Sequence, residues 1–256
     1  MHNIKLISMY WKNVDPEIVD IQLKVFKALG LKLEQFERTG QKHGSFLNES
    51  LRFAKLNDIL VFVDIDCVVM NTEVVYKAVE FARKGGIWGC SQVANHTKDT
   101  LHAYAAPMFH AISKKTWLKI GSPSYASNKN NDVGQNVTRQ AQKKNINIYL
   151  ARPLYSLIPK WPHGRDYPYG IGTFYEHGVF HLFESRKGIY NMLFRLIGES
   201  IINKNEIDYL ELTNIAKRIE IKATFIGLCK NILKFPFRLW KASYRYIKRK
   251  IFYIFF

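Results

Sequence analysis

Two carboxylates, Asp64 and Asp66, stand directly after an apolar run, Ile59–Val63. Such a run of β-branched and bulky residues predicts a strand buried on both faces, and ligands of open α/β sheets bind where such strands end. Two buried carboxylates repel each other and take up protons unless a cation lies beside them. The Asp-x-Asp spacing therefore indicates a site for a hard divalent ion, Mg²⁺ or Mn²⁺, bridging to phosphate oxygens. The alternative is a turn that carries two solvated acids.

The strand followed by Asp64-Ile65-Asp66 resembles the Asp-x-Asp signature of glycosyltransferases with the GT-A fold, of the type that builds bacterial surface polysaccharides or glycolipids. That resemblance implies a nucleotide-diphosphate sugar as donor and a saccharide or lipid-linked acceptor, with Asp64 and Asp66 holding Mn²⁺ or Mg²⁺ against the diphosphate. The motif is also similar to the first motif of haloacid-dehalogenase-type phosphatases, in which Asp64 would be the nucleophile and Asp66 the acid. Those phosphatases usually carry it on the first strand. Here it follows the third predicted strand and the sequence has no Gly-Asp dipeptide, which favours the GT-A resemblance.

A late histidine completes the metal site in many GT-A enzymes, and the resemblance gives this role to His181 ahead of His177. An imidazole beside two carboxylates suits Mn²⁺ or Mg²⁺. Arg186 and Lys187 follow closely and would contact the diphosphate of the donor. The alternative for His181 is a structural histidine in an apolar segment.

Asp132 precedes a predicted helix. Many inverting enzymes of the GT-A fold have their catalytic base in this position, so the resemblance implies that Asp132 deprotonates the acceptor hydroxyl. Aspartate is also among the best N-cap residues, and that alternative needs no chemistry. Tyr10 and Trp11 end the first predicted strand, and the same resemblance places them beside the nucleotide base.

The elements that must position these residues alternate between strand and helix. Periodicity and capping signals predict strands over residues 4–11, 31–36, 59–63, 87–91 and 146–150, and helices over 15–29, 45–56, 72–83 and 133–141. This order predicts an α/β fold, a Rossmann-like mixed sheet of the GT-A type flanked by helices. The sequence has no Gly-x-Gly-x-x-Gly and no Walker loop, so a metal is expected to hold the phosphates. Residues 155–175, rich in Pro, Gly and aromatics, are predicted to form a loop whose rings suit stacking on sugars.

The composition is that of a globular protein, since 47% of the 256 residues are hydrophobic and 23% are charged. The formal net charge of +17 predicts an anionic partner. Three widely spaced cysteines argue against a disulfide framework or a zinc site. The chain runs from its first residues straight into a predicted strand, so we expect no signal peptide and a cytoplasmic location.

The C-terminal residues differ in composition from the rest. Residues 217–256 contain eleven Lys or Arg against one acid, Glu220, with ten aromatics among them. Helical spacing of apolar residues beyond Pro236 predicts a basic amphipathic helix on an anionic membrane surface, which would place the protein on the inner face of the cell membrane. We therefore predict a glycosyltransferase domain over residues 1–215 and a membrane-binding tail over 216–256. Core packing of this tail is one alternative. A non-enzymatic adaptor for membrane or nucleic acid is the other, with nucleic acid disfavoured because no RNA-binding signature is present.

Overall fold

The computed structural model describes residues 3–94, 102–164 and 166–223. The strands are β1 (Ile4–Tyr10), β2 (Leu33–Glu37), β3 (Ile59–Val63), β4 (Cys67–Val69), β5 (Ile87–Val93), β6 (Ala103–Ser113), β7 (Ile148–Ala151), β8 (Pro153–His163), β9 (Asp166–Tyr175) and β10 (Val179–His181). The helices are α1 (Pro16–Ala28), α2 (His43–Phe53), α3 (Glu73–Arg83), α4 (Lys114–Lys119), α5 (Gln135–Lys143) and α6 (Asn191–Asn203). Ser185–Lys187 form one 3-10 turn, and residues 209–223 are helical.

The first sheet has six strands in the order β2-β1-β3-β6-β5-β7. β1 runs parallel to β2 and β3, whereas β6 is antiparallel to both β3 and β5. β7 is parallel to β5. The β1-α1-β2-α2-β3 beginning agrees with the sequence prediction, and the predicted α/β fold with a mixed, helix-flanked sheet is confirmed.

Helices cover both faces of this sheet. On one face α3 packs Val79 into a cluster that contains Val61 of β3. On the other face Phe46 of α2 and Val137 of α5 pack with Phe62 of the same strand. Every residue of β3 is at most 2% exposed, because successive side chains of a strand point alternately into the two cores.

The second sheet is antiparallel, with the order β4-β10-β9-β8. The prediction of a loop over residues 155–175 is wrong, because β8 and β9 form a long hairpin there. Their register shifts between Pro153 and Tyr155 and again between Pro159 and Trp161. Such bulges interrupt the alternation that signals a strand, and proline is tolerated on an edge strand such as β8. Part of the aromatic content of this hairpin is core, since Tyr169 is fully buried.

α1, α6 and the helix over residues 209–223 contribute to a third core, on the second sheet. A Cβ on Gly198 of α6 would lie 2.3 Å from Ile21 Cγ2 of α1, so glycine permits the close packing of these two helices. Leu212 and Ala216 are buried in this core, and the predicted domain boundary at residues 215 and 216 falls inside the last helix. The predicted amphipathic tail beyond residue 223 lies outside the described residues. Within the described residues, no helix combines the length and apolar character needed to cross a membrane.

Candidate metal and nucleotide site

A cleft of about 320 Å³ lies at the carboxyl ends of β1 and β3. Among the residues that line it are most of those that the sequence predicted for the site: Tyr10, Trp11, Asp64, Asp66, Asp132, His181 and Arg186. Glu184 adds a fourth carboxylate to the lining. An anion such as a diphosphate would be repelled by these carboxylates unless a cation bound with it.

The segment from Asp64 to Asp66 connects β3 to β4 and so carries the chain from the first sheet to the second. The main-chain N–H of Asp64 donates to the carbonyl oxygen of Met108, at 2.8 Å. The Gln22 side chain donates through Nε2 to the carbonyl oxygens of Asp64, at 2.6 Å, and of Cys67, at 2.8 Å. Gln22 is fully buried in α1. These bonds hold the main chain of the turn on the side of the core, while the carboxylates of Asp64 and Asp66 line the cleft.

Asp64, Asp66 and His181 form a candidate metal centre. One ligand atom from each lies within 4.8 Å of the other two. His181 Nε2 is 3.0 Å from Asp66 Oδ1 and 3.9 Å from Asp64 Oδ2. Two carboxylates and one imidazole are donors that Mn²⁺ and Mg²⁺ accept, so the residues present fit a divalent ion. His177, the alternative ligand, lies elsewhere, with Nε2 2.8 Å from the hydroxyl of Tyr149.

The protonation of this cluster follows from burial and charge. Burial raises the pKa of Asp64, and the charge of Asp66 adds to that effect, while His43 and His181 oppose it. Burial also acts to raise the pKa of Asp66, but the charge of His181 and the hydrogen bonds from His181 and Ser185 outweigh it and lower that pKa. Burial acts to lower the pKa of His181, and the two carboxylates reverse the direction and raise it. The cluster therefore attracts positive charge, whether a proton or a metal ion.

Asp132 is not a helix cap, in contrast to the capping alternative, because α5 begins at Gln135 and its N-cap position is Gly134. Asp132 Oδ2 accepts a hydrogen bond from the hydroxyl of Tyr104 at 2.8 Å, and Oδ1 accepts from the Val133 main-chain N–H at 2.7 Å. Burial and the charge of Asp132 raise the pKa of Tyr104 well above its ordinary value, so Tyr104 stays a donor. A carboxylate held in this way at a cleft can accept a proton from a bound hydroxyl.

Trp11 and Arg186 face each other across one side of the cleft. The guanidinium carbon of Arg186 lies 5.2 Å from the Trp11 ring centroid, a cation–π contact. Trp11 Nε1 donates to the carbonyl oxygen of Gln41 at 2.8 Å, which fixes the plane of the ring. Lys187 is not among the residues that line the cleft, and its Nζ pairs with Glu184 Oε2 at 2.8 Å. A phosphate contact by Lys187 stays a prediction.

The structure adds functional candidates that the sequence reasoning missed. His43 lines the cleft, with Nε2 3.2 Å from Asp64 Oδ1, and the Ser185 hydroxyl donates to Asp66 Oδ2 at 2.6 Å. His43 begins α2, which follows β2. Because the carboxyl ends of parallel strands meet at the same edge of a sheet, the position of His43 after β2 could have predicted that it lies near Asp64. Ser185 directly precedes Arg186 and could have been considered with it. Tyr104 has no local signal, because its contact with Asp132 is visible only in the fold.

A second polar array lies apart from the cleft. Ser91 Oγ is 3.0 Å from His163 Nε2, and His163 Nδ1 is 3.2 Å from Asp166 Oδ2, the order of groups found in serine hydrolases. Ser91 and His163 are only 1% and 3% exposed, and burial lowers the pKa of His163. A nucleophile so enclosed has no route to a substrate, so the array ties β5 to β8 and has a structural role.

No family model matches the sequence, and no curated protein matches it. Among solved structures, a putative nucleotide-diphospho-sugar transferase from Desulfovibrio desulfuricans G20 is 9% identical, over 81% of this chain and 100% of that one, with a TM-score of 0.43. A mutant of Drosophila β-1,4-galactosyltransferase 7, in complex with manganese, UDP-Gal and xylobiose, is 12% identical over 59% of this chain and 65% of that one, with a TM-score of 0.40. A protein from STIV is 14% identical over 59% and 82%, with a TM-score of 0.39. At these scores the similarity carries no functional argument.

Proposed function

We propose that the chain is a metal-dependent glycosyltransferase that moves a sugar from a nucleotide-diphosphate sugar to the hydroxyl of a saccharide or lipid-linked acceptor. One observation carries the proposal: Asp64, Asp66 and His181 converge in the same cleft as Trp11 and Arg186. A carboxylate-rich cleft needs a cation to accept a diphosphate, and these ligands can provide the place for it.

The donor would be bound at three points. Asp64, Asp66 and His181 would hold Mn²⁺ or Mg²⁺, which supplies positive charge to the leaving diphosphate. Arg186 would contact a phosphate of the donor, with its guanidinium held against the Trp11 ring. Tyr10 and Trp11 would offer the nucleobase an aromatic surface.

Asp132 would act as the general base of an inverting transfer. The Tyr104 hydroxyl and the Val133 N–H orient its carboxylate, and neither can accept the proton that the acceptor gives up. Asp132 would take that proton as the acceptor oxygen forms its bond to the anomeric carbon. The acceptor would enter on the side of the cleft that Tyr104 and Asp132 line.

The organisation of the chain belongs to the same proposal. Residues 1–215 would form the catalytic unit, and residues 216–256 would hold the protein on the anionic inner face of the cell membrane. An acceptor carried by a lipid, such as a growing surface polysaccharide or glycolipid, suits that location. The high positive charge of the tail supports it.

Thermal unfolding in the presence of nucleoside diphosphates, with and without Mn²⁺, tests the proposal. We expect one nucleotide to raise the melting temperature by about 5–10 °C at roughly 100 times its Kd, and only with the metal present. Stabilisation by every nucleotide without metal contradicts the proposal. Release of phosphate from phosphomonoesters, with a phosphorylated Asp64, would assign the site to a phosphohydrolase instead.

A further inference from the structure

The edge of the first sheet opposite the candidate site carries a cationic and apolar surface, called here the basal face. It comprises Phe53, Leu56, Arg83, Lys84, Lys115 and Lys119, all of them exposed. These residues come from the end of α2, the connection to β3, the end of α3 and the short α4. None of them belongs to the proposed catalytic machinery.

The apolar part of the basal face is unusually open to solvent. Phe53 is 79% exposed and Leu56 is 56% exposed. Lone exposed apolar residues are ordinary, but here an aromatic and an aliphatic side chain lie three positions apart with the exposed cations Arg52 and Lys55 beside them. Burial of either side chain in an apolar layer is favourable.

The cationic part lines a hollow of about 500 Å³. Arg83 and Lys84, at the end of α3, form one wall, and Lys115 and Lys119 of α4 form another. Glu80 pairs with Arg83 at 2.5 Å and with Lys84 at 3.7 Å. Surface pairs of this kind are weak. One carboxylate beside four cations leaves the hollow with a net positive charge.

The two parts form one continuous surface. Asn57 lines the hollow and directly follows Leu56. On the other side, Lys114 donates through Nζ to the carbonyl oxygens of Leu51, at 2.5 Å, and Arg52, at 3.2 Å. The start of α4 is thereby fixed to the end of α2, so Lys115 lies close in the fold to the segment that carries Phe53 and Leu56.

We infer that the basal face docks on an anionic lipid bilayer, independently of the C-terminal tail and of the proposed transfer reaction. Cations beside exposed apolar side chains match both layers of such a surface, the phosphate headgroups and the acyl boundary. A nucleic acid would use the cations but has no apolar layer for Phe53 and Leu56. β3 runs from Ile59 at this edge to Val63 beside Asp64, about 13 Å at 3.3 Å per residue. Docking therefore leaves the candidate cleft open.

A polarity-sensitive fluorescent label at position 53 tests the inference in the full chain. Cys67 and Cys90 are buried, so Phe53→Cys in a Cys229→Ser background directs the label to one site. With vesicles of phosphatidylcholine and phosphatidylglycerol we expect a blue shift, absent with phosphatidylcholine alone. The same label at Tyr76→Cys, an exposed aromatic of α3 at 64%, should not shift. Protein that sediments with the anionic vesicles while the label at Phe53→Cys stays unshifted overturns the inference, because the tail alone then holds it.

A charge-reversal pair gives the second arm. Lys115→Glu with Lys119→Glu should weaken vesicle binding about tenfold or more and abolish the shift. Lys24→Glu with Lys129→Glu changes the net charge equally at exposed positions elsewhere and should weaken binding far less. Equal loss in both pairs means that net charge alone acts, which contradicts a docking face. Competition between vesicles and duplex RNA or DNA is a further test. If the nucleic acid displaces vesicles by binding Lys115 and Lys119, and its binding does not depend on Phe53, the inference is also overturned.

Discussion

His181 Nε2 lies 3.0 Å from Asp66 Oδ1, although 115 residues separate them in sequence. One residue ends β10 and the other precedes β4, and these two strands pair antiparallel in the second sheet. The pairing places Cys67 opposite His181, so the imidazole and the Asp-x-Asp carboxylates are neighbours as a result of strand register. The pairing of β4 with β10 therefore positions the ligands of the candidate metal centre.

Asp66→Ala should remove metal-dependent nucleotide binding. The change deletes a carboxylate that a divalent ion would use, and we expect metal affinity to fall by more than the roughly 10–100-fold loss typical of outer partners. Isothermal titration of Mn²⁺, then of nucleotide with Mn²⁺, measures it. Asp20→Ala, at an exposed acid on α1, is the control. An unchanged nucleotide affinity in Asp66→Ala would remove the metal from the proposal.

Metal binding should release a proton from His181. The two carboxylates raise the pKa of His181, and only a neutral imidazole can ligate a metal, so the protonated fraction must lose its proton. Apparent Mn²⁺ affinity should thus fall as pH decreases through the raised pKa. Titrations in two buffers of different ionisation enthalpy count the protons released, and His181→Asn should release fewer, with Asp64 as the remaining source because its pKa is also raised.

Asp132→Asn should slow transfer by about 10²–10⁴-fold while leaving donor affinity and melting temperature unchanged. Asparagine keeps one oxygen to accept from the Val133 N–H, and its NH₂ group replaces the oxygen that faces Tyr104, whose hydroxyl can turn to accept. It cannot serve as the base. Tyr104→Phe removes only the orienting hydroxyl, so we expect a smaller loss in kcat at constant donor Kd. Normal turnover by Asp132→Asn would show that another group accepts the proton.

Gln22→Leu should destabilise the fold by about 2–4 kcal/mol, because two buried carbonyl oxygens lose their donor. The same change should weaken Mn²⁺ binding, since the main chain of the Asp-x-Asp turn is no longer held. Urea denaturation and metal titration measure the two effects. Gln142→Leu, at an exposed glutamine of α5, should change stability by less than about 0.5 kcal/mol.

His110 should make the fold acid-sensitive. Burial lowers the pKa of His110 from 6.5 to about 3, so between these values the unfolded chain binds a proton that the folded protein excludes. This contribution to stability is complete above pH about 6.5 and is lost as pH falls towards 3, about 2 kcal/mol between pH 7 and 5. Denaturation at the two pH values measures it. His110→Gln keeps a partner for the Tyr125 hydroxyl, which lies 2.9 Å from His110 Nε2, and should reduce the difference.

The part of the site that the sequence predicted depends on a local signal. Asp64 and Asp66 are recognisable because polar residues end an apolar strand. Tyr10 ends the neighbouring parallel strand, β1, and Trp11 directly follows it. Asp132 and His181 were inferred from family resemblance, and the structure places both at the cleft. The contact between Tyr104 and Asp132 could not be predicted, because it joins β6 to a loop by tertiary packing.

The hairpin of β8 and β9 is where pattern reading failed. Pro159 and Pro162 interrupt β8, and glycines at 170 and 172 interrupt β9, a composition typical of loops. A Cβ on Gly170 would lie 2.1 Å from the Ile158 carbonyl oxygen. Glycine is therefore required there by the close approach of two strands, a reason that exists only once the hairpin has formed.

Because the chain crosses from the first sheet to the second at the Asp-x-Asp turn, the metal ligands of a nascent protein come together only late in synthesis. The Asp-x-Asp turn leaves the ribosome well before β10, so the carboxylates wait for more than 100 residues of translation before their imidazole arrives. Contacts of such sequence separation form late and slowly. Metal binding would consequently occur only after folding is complete. An ion bound between Asp66 and His181 would close a long loop and slow the unfolding of the folded chain.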